Sequence, residues 1–202
     1  MRKQKHKYRC DEEMEYFSEE KVNQVFFSLI FVLIFPSLSK ADICSRTSKL
    51  VGTLEGMLQK KCQYIEPADL ALLYRLEVGN WWTYIPTLKE GDFEDMPNLR
   101  FLSVDGCNLE TIGPRTLKGL IDLKEIEIGG HPNSLRDIPE ELFQDTPNVE
   151  RISLASNNLE SLPTNLFQGL KKLKVLVLDY NRFSEGEKNR IRNSLPNVQV
   201  SF

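Results

Sequence analysis

The chain has 202 residues, with 26 Lys+Arg against 29 Asp+Glu, a formal net charge of -3, 41% hydrophobic residues and 27% charged residues. These values suit a folded chain rather than a disordered one, organised as one domain or a small repeat array. Phosphate binding needs clustered Lys and Arg, so a net acidic chain gives no electrostatic reason to expect a nucleic-acid partner.

Residues 1–41 stand apart from the rest. An 11-residue apolar run, Val25–Phe35, is followed by Pro36 and by Ser39 and Ala41 in a small-x-small arrangement. This pattern predicts a signal peptide cleaved after Ala41, and hence an exported protein in the periplasm, outside the cell or on its surface. Eleven helical residues span about 16 Å, roughly half the ~30 Å hydrocarbon core, so no membrane span is expected in the mature chain. The 24 residues before the run are long for a signal peptide and mix basic with acidic stretches. Met14 as the true start and an uncleaved anchor are the alternatives. The mature chain keeps Cys44, Cys62, Cys107 and one histidine, His131.

Residues 42–72 read as an N-terminal cap. Leu50, Val51, Leu54, Met57 and Leu58 fall on one face of a helix, with Thr47 as N-cap. Gly52 and Gly56 weaken that helix, which therefore depends on packing. Cys44 and Cys62 bracket it. A disulfide between them would close a 19-residue loop, contributing ~3 kcal/mol in the chain-entropy model, and export makes its oxidation possible. Two unpaired buried thiols are the alternative.

Five repeats occupy residues 73–183. Leu73-x-x-Leu76-x-Val78 recurs from Leu99, Leu123, Val149 and Leu173, at spacings of 26, 24, 26 and 24. The last three residues of each motif predict a short strand with one buried face. Later apolar positions (Leu109, Ile112 and Leu117; Leu159, Leu162 and Phe167) fold the return segment onto it. One unit alone would leave both flat sides of its apolar wedge in water, so the units must fold together. These residues resemble the leucine-rich repeat. The tails Ile138-Pro139-Glu140-Glu141-Leu142-Phe143 and Leu162-Pro163-Thr164-Asn165-Leu166-Phe167 resemble its 24-residue extracellular subtype. The resemblance implies an α/β right-handed solenoid with a concave parallel β-sheet, a helical N-terminal cap and a helix-plus-strand C-terminal cap. It also likens the flanking segments to those of secreted bacterial leucine-rich-repeat proteins.

Residues 184–202 read as the C-terminal cap, which would close the array. Ser184 and Glu187 form a capping box, the helix they start runs to about Asn193, and Leu195–Val200 alternates as a final strand.

Candidate binding residues follow from the repeat. The N/C position, five residues after the second repeat Leu, is held by Cys107, Asn157 and Asn181. The resemblance gives it an inward side chain that bonds backbone, and makes Cys107 a buried thiol rather than a nucleophile. Trp81 and His131 hold the same position in the two 26-residue units, whose extra residues form loops 79–84 and 129–134 on one rim, roughly 10 Å apart. Trp81, Trp82 and Tyr84 would supply aromatic contact area there. In the alternative, Trp81 or Tyr84 turns inward to fill the turn. On the strands, outward positions include Arg75, Glu77, Phe101, Ser103, Asp105, Glu125, Glu127, Arg151 and Ser153. Phe101 and the group Val175, Val177 and Tyr180 are apolar where solvent is expected, which often marks a contact site, although scattered apolar surface is common.

No catalytic or phosphate-binding motif and no zinc site is present, and Glu77 and Glu127, two strands apart, read as surface charge. The expectation is a non-catalytic exported module that binds a protein through its concave face and rim, without a cofactor or metal, as a monomer or a concave-face dimer. An inhibitor of an envelope or extracellular hydrolase, or a purely structural surface protein, are the alternatives.

Overall fold

Alternation of inward and outward side chains sets the strands, because successive residues of an extended chain face opposite sides. The computed structural model describes residues 43–79, 84–130 and 134–202. The expected signal peptide, with its apolar run and cleavage after Ala41, lies outside the described residues, as do Trp81, Trp82 and His131. Helices α1 (Ser48–Leu58) and α2 (Pro67–Leu70) come first. The repeats then give β1 (Arg75–Val78), β3 (Phe101–Asp105), β5 (Glu125–Gly129), β6 (Arg151–Ser153) and β7 (Val175–Val177). Two short strands, β2 (Thr87–Leu88) and β4 (Thr111–Ile112), form in the return segments. Helix α3 (Glu185–Ser194) and β8 (Gln199–Ser201) close the chain.

The main sheet has six strands in the order β1-β3-β5-β6-β7-β8, every neighbouring pair parallel, and β2 and β4 pair separately. Its register places Leu76, Leu102, Ile126, Ile152, Leu176 and Val200 in one inward row. The first five of these are fully buried. Each contributes about 1.5–3 kcal/mol by leaving water. Every ladder bond runs to a neighbouring repeat, so no unit satisfies its own backbone, which is the hydrogen-bonding counterpart of the wedge argument. Behind the sheet, Leu109, Leu117, Leu135 and Leu159 form a second buried layer, and Phe143 stacks on Phe167 at 6.1 Å. The architecture is the parallel-sheet solenoid expected from the repeat.

The N-terminal segment is fastened at two places. Cys44 and Cys62 form the expected disulfide. Thr47 stands at the N-cap of α1, but its hydroxyl makes no bond to the helix. Instead, Thr47 Oγ1 and N both donate to the buried Asp92 carboxylate, at 2.7 and 2.8 Å, and Lys89 N donates to it at 2.9 Å. The charged acceptor orients the hydroxyl as a donor toward Asp92, and its oxygen takes no N–H from the helix start. Next to it the buried Arg46 guanidinium donates to Asp92 O and Glu94 O and pairs with Asp95 at 3.2 Å. Burial pulls its pKa below the usual arginine value, against the opposing pull of Asp95, Glu94 and Asp92. The apolar stripe of α1 is narrower than expected: Leu50 and Leu54 are buried, whereas Met57 is 47% exposed.

At the other end, Ser184 Oγ accepts the Glu187 N–H at 3.2 Å, which is half of a capping box. The Glu187 carboxylate does not return to Ser184. It accepts the Leu162 N–H at 3.0 Å, while Arg190 donates to Leu162 O at 2.6 Å and to Glu187. A part-buried peptide group outcompetes the exposed helix start for these partners. The final strand is shorter than the 195–200 alternation because Leu195 still closes the helix, donating to Arg192 O.

Candidate functional site

The register turns the outward residues into two columns crossing the sheet. One runs Arg75, Phe101, Glu125, Arg151, Val175, Gln199; the other runs Glu77, Ser103, Glu127, Ser153, Val177, Ser201. Neighbours within a column are ~4.8 Å apart. Asp105 lies one step further along, opposite Gly129.

The first half of this face is polar and partly self-satisfied. Arg75 Nε pairs with Glu77 at 2.5 Å, and its guanidinium lies 3.5 Å from the Phe101 ring centroid. Phe101 is therefore half-buried beneath a cation rather than open apolar surface. Arg151 pairs with Glu125 at 3.0 Å. Ser103 is buried between its column neighbours. Among the described residues, no Lys or Arg forms an ion pair with Asp105 or Glu127. Burial raises the Asp105 pKa, opposed by the Gly106 N–H it accepts. Burial, then Glu125, raises that of Glu127; Asp105 adds to the rise, and Arg151 and Arg75 oppose it. A Cβ at Gly130 would collide with the Asp105 carboxylate, so only glycine lets that group settle there.

The second half presents two outward valines, with Gln199 and Ser201 beyond them. Val175 and Val177 are half-buried, and Tyr180 is 84% exposed. Tyr180 immediately precedes the N/C position, where the chain turns off the strand. Its counterparts are Gly106, Gly130 and Ser156, and all four are left-handed, with φ of 64°, 76°, 56° and 58° for Tyr180. A Cβ in this conformation costs ~1–2 kcal/mol. Asp179, beside it, accepts the Ser201 hydroxyl at 2.5 Å.

The N/C side chains work as the repeat implies. Asn157 Nδ2 donates to Ile128 O at 2.9 Å and Leu154 O at 3.1 Å, and Asn181 Nδ2 donates to Leu154 O and Leu178 O. Cys107 Sγ reaches Val78 O at 3.2 Å. Burial, then Asp105, pushes its thiol up to about 11, so it remains protonated and poorly nucleophilic. Tyr84 is 57% exposed and does not plug the core. The sheet brings together Phe101, Asp105, Glu127 and Arg151, with Val177 and Tyr180 further along; Trp81, Trp82 and His131 lie outside the described residues. The glycine beside Asp105 and the Ser201–Asp179 bond escaped sequence reasoning. Glycine recurring just before the N/C position was the available signal for the first.

Asp105 and Glu127 shift in the same direction, whereas an acid–base pair needs its members pushed apart. Among the described residues, no group of His, Cys, Asp and Glu is placed to hold a metal ion. A groove of about 690 Å³, lined by Glu110, Thr111, Ile112, Ser134 and residues 136–139, holds none of the expected site residues. Among the described residues, no helix is long and apolar enough to cross a membrane. The arrangement suits contact, with an acidic middle and an apolar end.

Two models described as leucine rich repeat match the chain, over residues 131–183 and 98–120. No curated protein matches it in sequence. Among similar solved structures is that of the Drosophila Toll–Spatzle complex, with 28% identity and a TM-score of 0.51, covering 57% of this chain and 15% of that one. An internalin from Listeria monocytogenes has 17% identity and a TM-score of 0.54, covering 82% of this chain and 53% of its own. A TLR13 complex with single-stranded RNA has 20% identity and a TM-score of 0.51, covering 59% and 17%. The chain thus spans about half the length of the internalin chain and under a fifth of the other two.

Proposed function

This chain is a leucine-rich-repeat protein, and from that premise we propose that it is an exported, non-catalytic module that binds a protein partner through the concave face of its sheet and the adjacent rim. Tyr180 carries the reading. At a turn where two of three described counterparts are glycine, an almost fully exposed aromatic side chain sits in a strained conformation, three residues beyond the outward Val177. Strain kept at an exposed site is a mark of function, and tyrosine is among the residues that dominate interface energies. Phe101, Asp105, Glu127 and Arg151 complete the proposed strand surface, and the sequence positions of Trp81, Trp82, Tyr84 and His131 nominate them as its rim.

A protein is favoured over nucleic acid because the face presents Glu77, Asp105, Glu125, Glu127 and Asp179 against Arg75 and Arg151, a polarity that repels phosphate. The Toll structure captures a protein complex, and the TLR13 likeness at 20% identity bears on fold alone. The Cys44–Cys62 disulfide supports export, since such bonds persist in oxidising compartments.

Affinity capture by the oxidised chain tests the binding role, comparing wild type with Tyr180→Gly plus Val177→Ser after circular dichroism shows both folded. A partner held by wild type and lost by the variant is expected; equal capture, or none by either, overturns the reading. Export is checked by fractionating cells that express the full gene. Recovery of an intact, reduced chain in the cytoplasm refutes it.

A further inference from the structure

The outward face of the sheet is divided, and the division has a dimension. Asp105 and Glu127 occupy β3 and β5 without an ion pair among the described residues, whereas Glu77 and Glu125, on the same strands or beside them, are neutralised by Arg75 and Arg151. Val177 occupies β7, with Tyr180 at the turn beyond it. Between them lies β6, whose outward residues are Arg151, tied to Glu125, and the small Ser153. Two strand spacings separate Glu127 from Val177, and three separate Asp105, two residues further along, from the turn at Tyr180, so the acidic and apolar parts are about 10–14 Å apart. An extended chain advances ~3.3 Å per residue, which makes that distance three or four residues.

Resting on the reading of this face as a protein-binding surface, we infer that its occupant is an extended segment of a partner protein, lying across the strands, with a Lys or Arg over Asp105 and Glu127 and a large apolar residue three or four positions away against Val177 and Tyr180. Charge complementarity selects the cation. Two carboxylates that make no ion pair among the described residues, one beside a glycine that keeps its wall clear, favour a long cationic side chain that can reach them. The apolar end supplies the anchor, because Tyr180 and the two valines offer contact area that water does not reward. The fixed distance between the two supplies specificity: a segment with either feature alone, or with both at the wrong separation, engages half of the face.

A displayed library of random 12-residue peptides, selected on the oxidised full chain, tests this. Wild type is expected to enrich segments with Lys or Arg three or four positions from Leu, Met, Phe or Trp. Asp105→Asn plus Glu127→Gln should weaken a selected segment by about tenfold and abolish the preference for the cation while keeping that for the apolar residue. Tyr180→Gly should do the reverse. All variants are to match wild type by circular dichroism. Enrichment lost in Tyr180→Gly plus Val177→Ser, but showing no cation or no preferred spacing, overturns this inference and leaves the binding face standing. Enrichment indifferent to every one of these substitutions, or no enrichment at all, overturns both.

Discussion

Asp92→Ala is expected to be among the most damaging single substitutions in the protein, although Asp92 belongs to neither the core nor the binding face. Its buried carboxylate accepts Thr47 N at 2.8 Å, Thr47 Oγ1 at 2.7 Å and Lys89 N at 2.9 Å. Alanine leaves two backbone donors without an acceptor and removes a negative charge beside the buried Arg46, which keeps Asp95 as its ion-pair partner. An orphaned donor costs about 1–3 kcal/mol, and breaking up a buried charged cluster raises the total to ~3 kcal/mol or more. That is a large share of the about 5–15 kcal/mol available to a domain. Thr47→Val, which deletes only the hydroxyl bond, should cost about 1 kcal/mol. Urea unfolding of the oxidised chains, followed by far-ultraviolet circular dichroism, compares the two. If Asp92→Ala costs no more than Thr47→Val, the carboxylate does not fasten the N-terminal segment to the first repeat.

Four further outcomes are expected. Cys44→Ser should lower stability by ~3 kcal/mol through its 18-residue separation from Cys62, and reducing the wild type should reproduce that loss in the same urea titration. Cys107 should react with a thiol-exchange reagent only after unfolding, since its thiol is buried and pushed up to about 11; rapid labelling of the native chain refutes this. Glu127 carries a folded pKa above its unfolded one, so the folded state takes up its proton first as pH falls. Its charge therefore opposes folding at neutral pH, and the penalty vanishes as pH drops through the raised value into the ordinary glutamate range. Glu127→Gln should melt above wild type at neutral pH, with the gap closing near about pH 4; a gap that widens on acidification refutes the sign. Tyr180→Gly should leave stability unchanged or raise it by up to ~1 kcal/mol, because relief of the left-handed strain offsets the extra freedom of glycine when unfolded. A loss above about 1 kcal/mol in thermal unfolding would show that the ring packs rather than protrudes.

The repeat was legible because burial writes itself into spacing: Leu102 and Val104, or Ile152 and Leu154, recur where a strand needs them, and the sheet follows. The disulfide was legible too, since Cys44 and Cys62 flank a helix in a chain expected to be exported. What spacing does not carry is competition between partners. Thr47 and Glu187 both look like capping residues by type and position, and both give up that role to more distant groups, Asp92 and Leu162. The candidate face was legible as a set of outward positions, including Asp105, Glu127, Val177 and Tyr180. Its internal bookkeeping was not, because Arg75 covering Phe101 and neutralising Glu77 is a rotamer choice made in three dimensions. The strain at Tyr180 was likewise hidden: the repeat puts it level with Gly106 and Gly130, but only backbone angles reveal that it too is left-handed.

The clasp between α3 and Leu162 grips that residue's backbone N–H and C=O, not a side chain. Any 24-residue rung offers the same amide and carbonyl at the same place, so the stopper does not discriminate which rung it meets. Duplicating or deleting whole rungs ahead of it leaves the closure chemistry intact. The extent of the sheet is thereby uncoupled from this clasp, and can change in genetic steps of one unit without altering the contacts α3 makes.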